Sequence, residues 1–120
     1  MATEAPHLVD GRAAEEAALA HLKRQGLKLV TRNYRTPHGE IDLIMQDASE
    51  LVFVEVRFRR SQQFGSPAET VGTQKQRKLR ASAQHYLQSD RDCNRPCRFD
   101  IVSVAGDPAA PVIDWLTNAF

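Results

Sequence analysis

Apolar positions along this chain fall into runs separated by polar or glycine-containing breaks, and the spacing inside each run names its element. From Arg12 to Gln25, the residues Glu15, Ala18, Leu19 and Leu22 recur at the i, i+3, i+4, i+7 intervals of one helical face. Asp10 is placed as the N-cap of that helix and Gly26 as its stop. Leu27 to Arg35 reads as a first strand, with Thr36-Pro37-His38-Gly39 as the turn that follows. Ile41, Leu43 and Met45 then alternate with Glu40, Asp42 and Ile44 at the two-residue period of a strand. Leu51 to Phe58 is almost unbroken in β-branched and aromatic residues, which predicts a central strand. The segment from Ser61 to Gly72, broken by Gly65, Pro67 and Gly72, predicts a mobile loop. Thr73 and Gln76 have the form of a capping box opening a helix to about Gln88, with Leu79, Ala83, Tyr86 and Leu87 on its buried face. After a charged loop, Arg98 to Val104 and Val112 to Leu116 read as the last two strands.

The order α-β-β-β-α-β-β predicts an α/β fold with a mixed sheet flanked by helices. At 120 residues, with 42% apolar and 26% charged, the chain suits one domain over residues 11–120 behind a flexible leader, 1–10. The opening Met-Ala-Thr-Glu-Ala-Pro-His lacks the basic start and apolar run of a secretory signal, and no run approaches the ~18 apolar residues of a membrane span. A cytoplasmic location without a membrane partner is the expectation.

Acids interrupt the two central strands, and that placement asks for a reason. Gln46 to Glu50 is short and polar, so the strands pair as a hairpin around Ala48. Asp42 then falls opposite Glu55 or one position away. Directly paired residues share a face with Cβ atoms ~5 Å apart. Two carboxylates held that closely must keep a proton, enclose a basic residue or hold a divalent cation. Arg57, on the same face as Glu55, offers partial neutralisation, so an ion pair with solvent contact is the bland alternative.

The net charge of +1 hides an uneven distribution. Between Arg57 and Arg80 the basic residues are Arg57, Arg59, Arg60, Lys75, Arg77, Lys78 and Arg80, against the single acid Glu69. Such an excess beside paired carboxylates favours a polyanion as partner. Lys75 stands in the first turn of its helix, where backbone N–H groups and the helix dipole favour phosphate, and Arg35 closes the first strand. His38, in a turn near the carboxylates, is a weaker candidate as ligand or proton carrier. Cys93, Cys97 and His85 fall short of a zinc set and read as loop thiols and an unrelated histidine.

Asp42 followed by Glu55-Val56-Arg57 resembles the active-site pattern of the PD-(D/E)XK nuclease superfamily, with Arg57 where that pattern has lysine. The longer strings Gly39-Glu40-Ile41-Asp42-Leu43-Ile44 and Phe53-Val54-Glu55-Val56 resemble the YraN family of small bacterial proteins, related in fold to archaeal Holliday-junction resolvases. Gly11 to Ala18 is similar to that family's helical string, with Ala14 in place of its second glycine. The resemblance implies a restriction-endonuclease-like fold and a magnesium- or manganese-dependent endonuclease acting on branched or structured DNA. It also implies Asp42, Glu55 and Glu15 as metal ligands, Arg57 in the place of the lysine that orients the attacking water, Lys75 as a phosphate contact, and a homodimer; Arg59, Arg60 and Arg35 are the nucleic-acid contacts that the charge distribution itself offers. Arginine stays protonated and cannot serve as a general base, so a catalytically weak nuclease-fold protein that binds nucleic acid or another protein is the alternative.

Overall fold

A computed structural model describes residues 10–59, 71–89, 95–106 and 109–120. Helix α1 spans Asp10–Arg24 and is followed by strands β1 (Lys28–Thr36), β2 (Gly39–Asp47) and β3 (Glu50–Arg59). Helix α2 (Thr73–Ser89) leads to β4 (Cys97–Ala105) and β5 (Val112–Leu116). This is the mixed α/β fold and the element order that the apolar pattern predicts. Among the described residues no helix is long and apolar enough to cross a membrane.

The strands form one five-stranded sheet in chain order, β1 to β5. All neighbours are antiparallel except β3 and β4, which run parallel because α2 carries the chain back across the sheet between them. The two helices cover opposite faces. Ala14, Ala18, Leu19 and Leu22 of α1 close a core over Leu43, Met45, Val52, Val54, Val102 and Val104. On the other face Leu79 and Ala83 of α2 pack over Ile41, Ile44, Phe53, Phe99 and Ile101. β3 therefore contributes to both cores at alternate positions, which explains its unbroken apolar run.

Local signals end the elements largely where expected. Gly26, at φ 97°, terminates α1, with the Gly26 N–H donating to the Lys23 carbonyl and the Leu27 N–H to the Leu22 carbonyl, both at 3.0 Å. That pairing is a Schellman motif with Leu27 buried as its apolar seal. The β2–β3 hairpin is tighter than a five-residue loop: Asp47 pairs with Glu50, leaving only Ala48 and Ser49 in the turn. The start of α2 differs from the expected capping box. Thr73 is already helical, the Gln76 N–H donates to the Gly72 carbonyl, and the Gln76 side-chain amide donates to the Val71 carbonyl at 3.0 Å. Gly72 is thus the N-cap, because the carbonyl of buried Val71 offers the glutamine a partner outside the helix.

One expectation is corrected. Ile41 does not share a face with Leu43 and Met45; it belongs to the α2-side core and they belong to the α1-side core. The cause lies across the ladder. Arg32 pairs with Leu43 and Tyr34 with Ile41, so Asn33 stands opposite Asp42, and Asn33 has a left-handed φ of 54°. A left-handed residue turns the strand over, and β2 follows its partner. The site lies at this inversion.

Candidate active site in the fork between two strands

The β2–β3 ladder runs from Asp47–Glu50 to Leu43–Val54 and stops one step before Asp42 would face Glu55. Beyond that step Asp42 Oδ2 accepts the backbone N–H of Val56 at 2.8 Å, so the carboxylate occupies the place of a ladder carbonyl. Glu55 is held by the parallel pairing of β3 with β4, opposite Ile101, and is only 5% exposed. The two carboxyls are brought together closely enough to share a hydrogen bond. Burial pushes the Asp42 carboxyl up to about 7, the charge of Glu55 adds to the rise, and the Val56 bond opposes it. Asp42 is thus a carboxylic acid that keeps its proton close to neutrality.

Two cations answer Glu55. Arg57 Nη1 lies 3.3 Å and Lys75 Nζ 3.6 Å from the same oxygen, Oε2. Arg57 reaches it because strand positions two apart share a face. Lys75 reaches it because α2 begins directly over this end of β3.

Glu15 is placed on the other side of the fork. It is half-buried on α1, and its carboxyl is raised by burial, with Arg32 at 3.9 Å pulling the other way. Its charge contributes to the rise at Asp42. Among the described residues, however, no three His, Cys, Asp or Glu side chains converge as a metal-holding group. Arg32 bonds Glu16 more closely, at 2.7 Å. Together with Arg12, Asn33 and Arg35, these side chains line an open cleft of about 770 Å³ beside the N-terminal end of α1. Arg35 itself is exposed and donates to Glu40 at 3.0 Å.

The remaining candidates fall elsewhere. His38 is exposed in the β1–β2 turn, with its backbone N–H donating to Thr36 Oγ1 at 3.0 Å. His85 sits 2.9 Å from the Tyr34 hydroxyl through Nδ1, inside the α2-side packing, and Cys97 is exposed. The backbone of Arg59 pairs with Ala105; its side chain, Arg60, the part of the expected 61–72 loop up to residue 70, and Cys93 lie outside the described residues.

A model of the uncharacterised protein family UPF0102 matches residues 14–104, which takes in Glu15, Asp42, Glu55, Arg57 and Lys75. The chain belongs to that family. A UPF0102 protein of Shewanella loihica is 47% identical over 118 residues, covering 98% of this chain and 99% of the relative. One from Nitrosococcus oceani is 46% identical over 117 residues (97% and 94% covered), and one from Saccharophagus degradans 49% identical over 117 residues (97% and 96% covered). Those names carry no activity, so the chemistry must be read from the UPF0102 fold itself.

Sequence reasoning missed a second buried carboxylate in this UPF0102 chain. Asp100, fully buried on β4, accepts hydrogen bonds from Arg98 Nε at 3.0 Å, Trp115 Nε1 at 2.9 Å and the Asn118 N–H at 2.9 Å. Arg98 Nη1 also reaches Asp47 at 3.1 Å and Glu50 at 2.8 Å. This network ties the β2–β3 turn, β4 and the segment after β5 together, at the end of β3 away from Glu55. The signal was present in the Arg98-Phe99-Asp100 spacing, which puts an opposite-charge pair on one face of a strand.

Proposed function

We propose that this UPF0102 protein is a metal-dependent endonuclease that hydrolyses phosphodiester bonds in DNA, on branched or structured substrates and as a homodimer, as its resemblance to the PD-(D/E)XK nucleases implies. The single observation that carries this reading is the Asp42–Glu55 carboxyl pair, largely buried in a strand fork and bordered by Arg57 and Lys75. Hard-oxygen pairs of this kind suit magnesium or manganese, which take one or two carboxylates and complete their shells with water and phosphate oxygens. The donor set fits: burial and the adjacent Glu55 charge make Asp42 hold its proton near neutrality, and a divalent ion would replace that proton. Such an ion supplies activation of the attacking water and neutralises charge on the phosphodiester.

The chain's own residues do the rest. Asp42 and Glu55 hold the ion, with Asp42 anchored through Val56. Glu15, across the fork, adds negative charge to the site. Arg57 stabilises the charge that develops on the phosphate, without taking a proton from water. Arg35 and the basic residues of the β3–α2 region guide the polyanion toward the fork.

Purified protein incubated with branched, single-stranded and linear duplex DNA, with magnesium or manganese, tests this beside Asp42→Asn and Glu55→Gln. Cutting by wild type and by neither variant is the expected result. The second reading, a nuclease-fold protein that binds without cutting, draws on Arg57 standing in the lysine position. Salt-dependent DNA affinity with no cleavage of any substrate would establish that reading in place of the first.

A further inference from the structure

Glu55 presents an unusual balance. Its side chain is 5% exposed, yet one oxygen faces both an arginine and a lysine. A buried carboxylate needs that compensation while the pair holds no metal, because an uncompensated charge in the sheet is strongly destabilising. Once a divalent cation lies on Asp42 and Glu55, the same ammonium faces a like charge only a few ångströms away, and its attraction becomes repulsion. One of the two cations must then yield.

The two differ in their freedom to do so. Arg57 is fixed in the strand: its backbone pairs with Ser103 of β4, and its side chain is two-thirds buried. Lys75 stands in the first turn of α2 on a flexible stem, with 44% of its side chain exposed. Its ammonium can swing outward without breaking secondary structure, into a region where the start of α2 already favours an anion.

We infer that Lys75 is a displaceable counter-cation: divalent metal binding at Asp42 and Glu55 drives its ammonium off Glu55, and the freed ammonium then takes a substrate phosphate. The inference rests on the proposed metal site and goes beyond it. Metal and nucleic acid are coupled through this one side chain, each strengthening the other's binding. Lys75 is thereby a positioning residue whose partner changes as the site fills, rather than a fixed phosphate contact.

Manganese affinity, measured by calorimetry on the folded protein, tests this with and without a phosphorothioate duplex that resists cutting. Removal of a weakly held surface counter-ion changes affinity by about 1.5- to fivefold. Lys75→Met is therefore expected to bind manganese about that much more tightly than wild type when DNA is absent. The duplex should tighten manganese binding in wild type and do so much less in Lys75→Met. Lys78→Met removes the same charge one turn away and should leave manganese affinity near the wild-type value. Equal manganese affinity in wild type and Lys75→Met, or an undiminished effect of the duplex in Lys75→Met, overturns the inference. So does a gain in Lys78→Met as large as that in Lys75→Met, since a diffuse field would then explain both. If wild type binds no manganese, or Glu55→Gln binds it equally well, the metal site falls and this inference with it.

Discussion

Asp42 Oδ2 accepts the Val56 N–H at 2.8 Å, so a side chain of β2 completes the hydrogen bonding of β3 where the β2 backbone has moved away. The bond anchors one carboxyl of the pair while the other, Glu55, is anchored by its own strand. The pair is therefore built into the sheet, and its electrostatics bear on folding as well as on chemistry.

The pH dependence of stability follows from Asp42. Its folded value is raised to about 7 from an ordinary 3.8, so the folded state binds the proton more tightly than the unfolded chain. Stability from this group is full below about pH 4, falls as pH rises toward 7, and is flat above, with a total loss on the order of a few kcal/mol. Melting temperatures in EDTA should fall over that window in wild type and fall less in Asp42→Asn. Manganese should restore stability at pH 8 in wild type only. Parallel curves for the two proteins would refute the assignment.

Asp100 is a matter of stability rather than catalysis. Truncation to alanine strips the shared acceptor from Arg98, Trp115 and Asn118 at once; Arg98 keeps Asp47 and Glu50, but the Trp115 and Asn118 N–H donors lose their acceptor, which costs about 2–4 kcal/mol. Urea unfolding followed by Trp115 fluorescence measures it. A loss below ~1 kcal/mol would show that the network is dispensable.

Asn33 sets the geometry of the fork from the neighbouring strand. Its φ of 54° is open to asparagine and glycine but poorly suited to a β-branched residue. Asn33→Val should cost about 1–2 kcal/mol and weaken manganese binding, whereas Asn33→Gly should keep the metal affinity. Equal manganese affinities in Asn33→Val and wild type would separate the inversion of the strands from the site.

Arg57→Lys tests the weakest residue for hydrolysis. A lysine there can orient and help deprotonate water, as arginine cannot, so cleavage of whichever DNA the wild type cuts should rise on the order of tenfold. Unchanged or slower cutting would mean that the planar guanidinium itself is used on the phosphate.

The sheet, the helices and the approach of Asp42 to Glu55 could be read from the chain because hairpin spacing and two-residue alternation fix register locally. The same reasoning put Arg57 beside Glu55. Lys75 was visible as a helix-start cation but not as a partner of Glu55, since only the α2 crossover brings it there. The inversion at Asn33 left no trace in the apolar pattern: Ile41 and Leu43 look alike whichever core receives them. Asp100 was read as part of a strand, because its donors Trp115 and Asn118 arrive from a strand and tail much later in sequence.

The parallel pairing of β3 with β4 has a consequence for how the molecule comes to exist. β1, β2 and β3 form a meander of short-range pairings that can assemble first, bringing the carboxyls at 42 and 55 together early. β4 joins only after the long detour through α2, and that distant closure, with its high contact order, sets the pace of refolding. In that order the acids meet while β4, the strand that holds Glu55 from its other side, has yet to arrive.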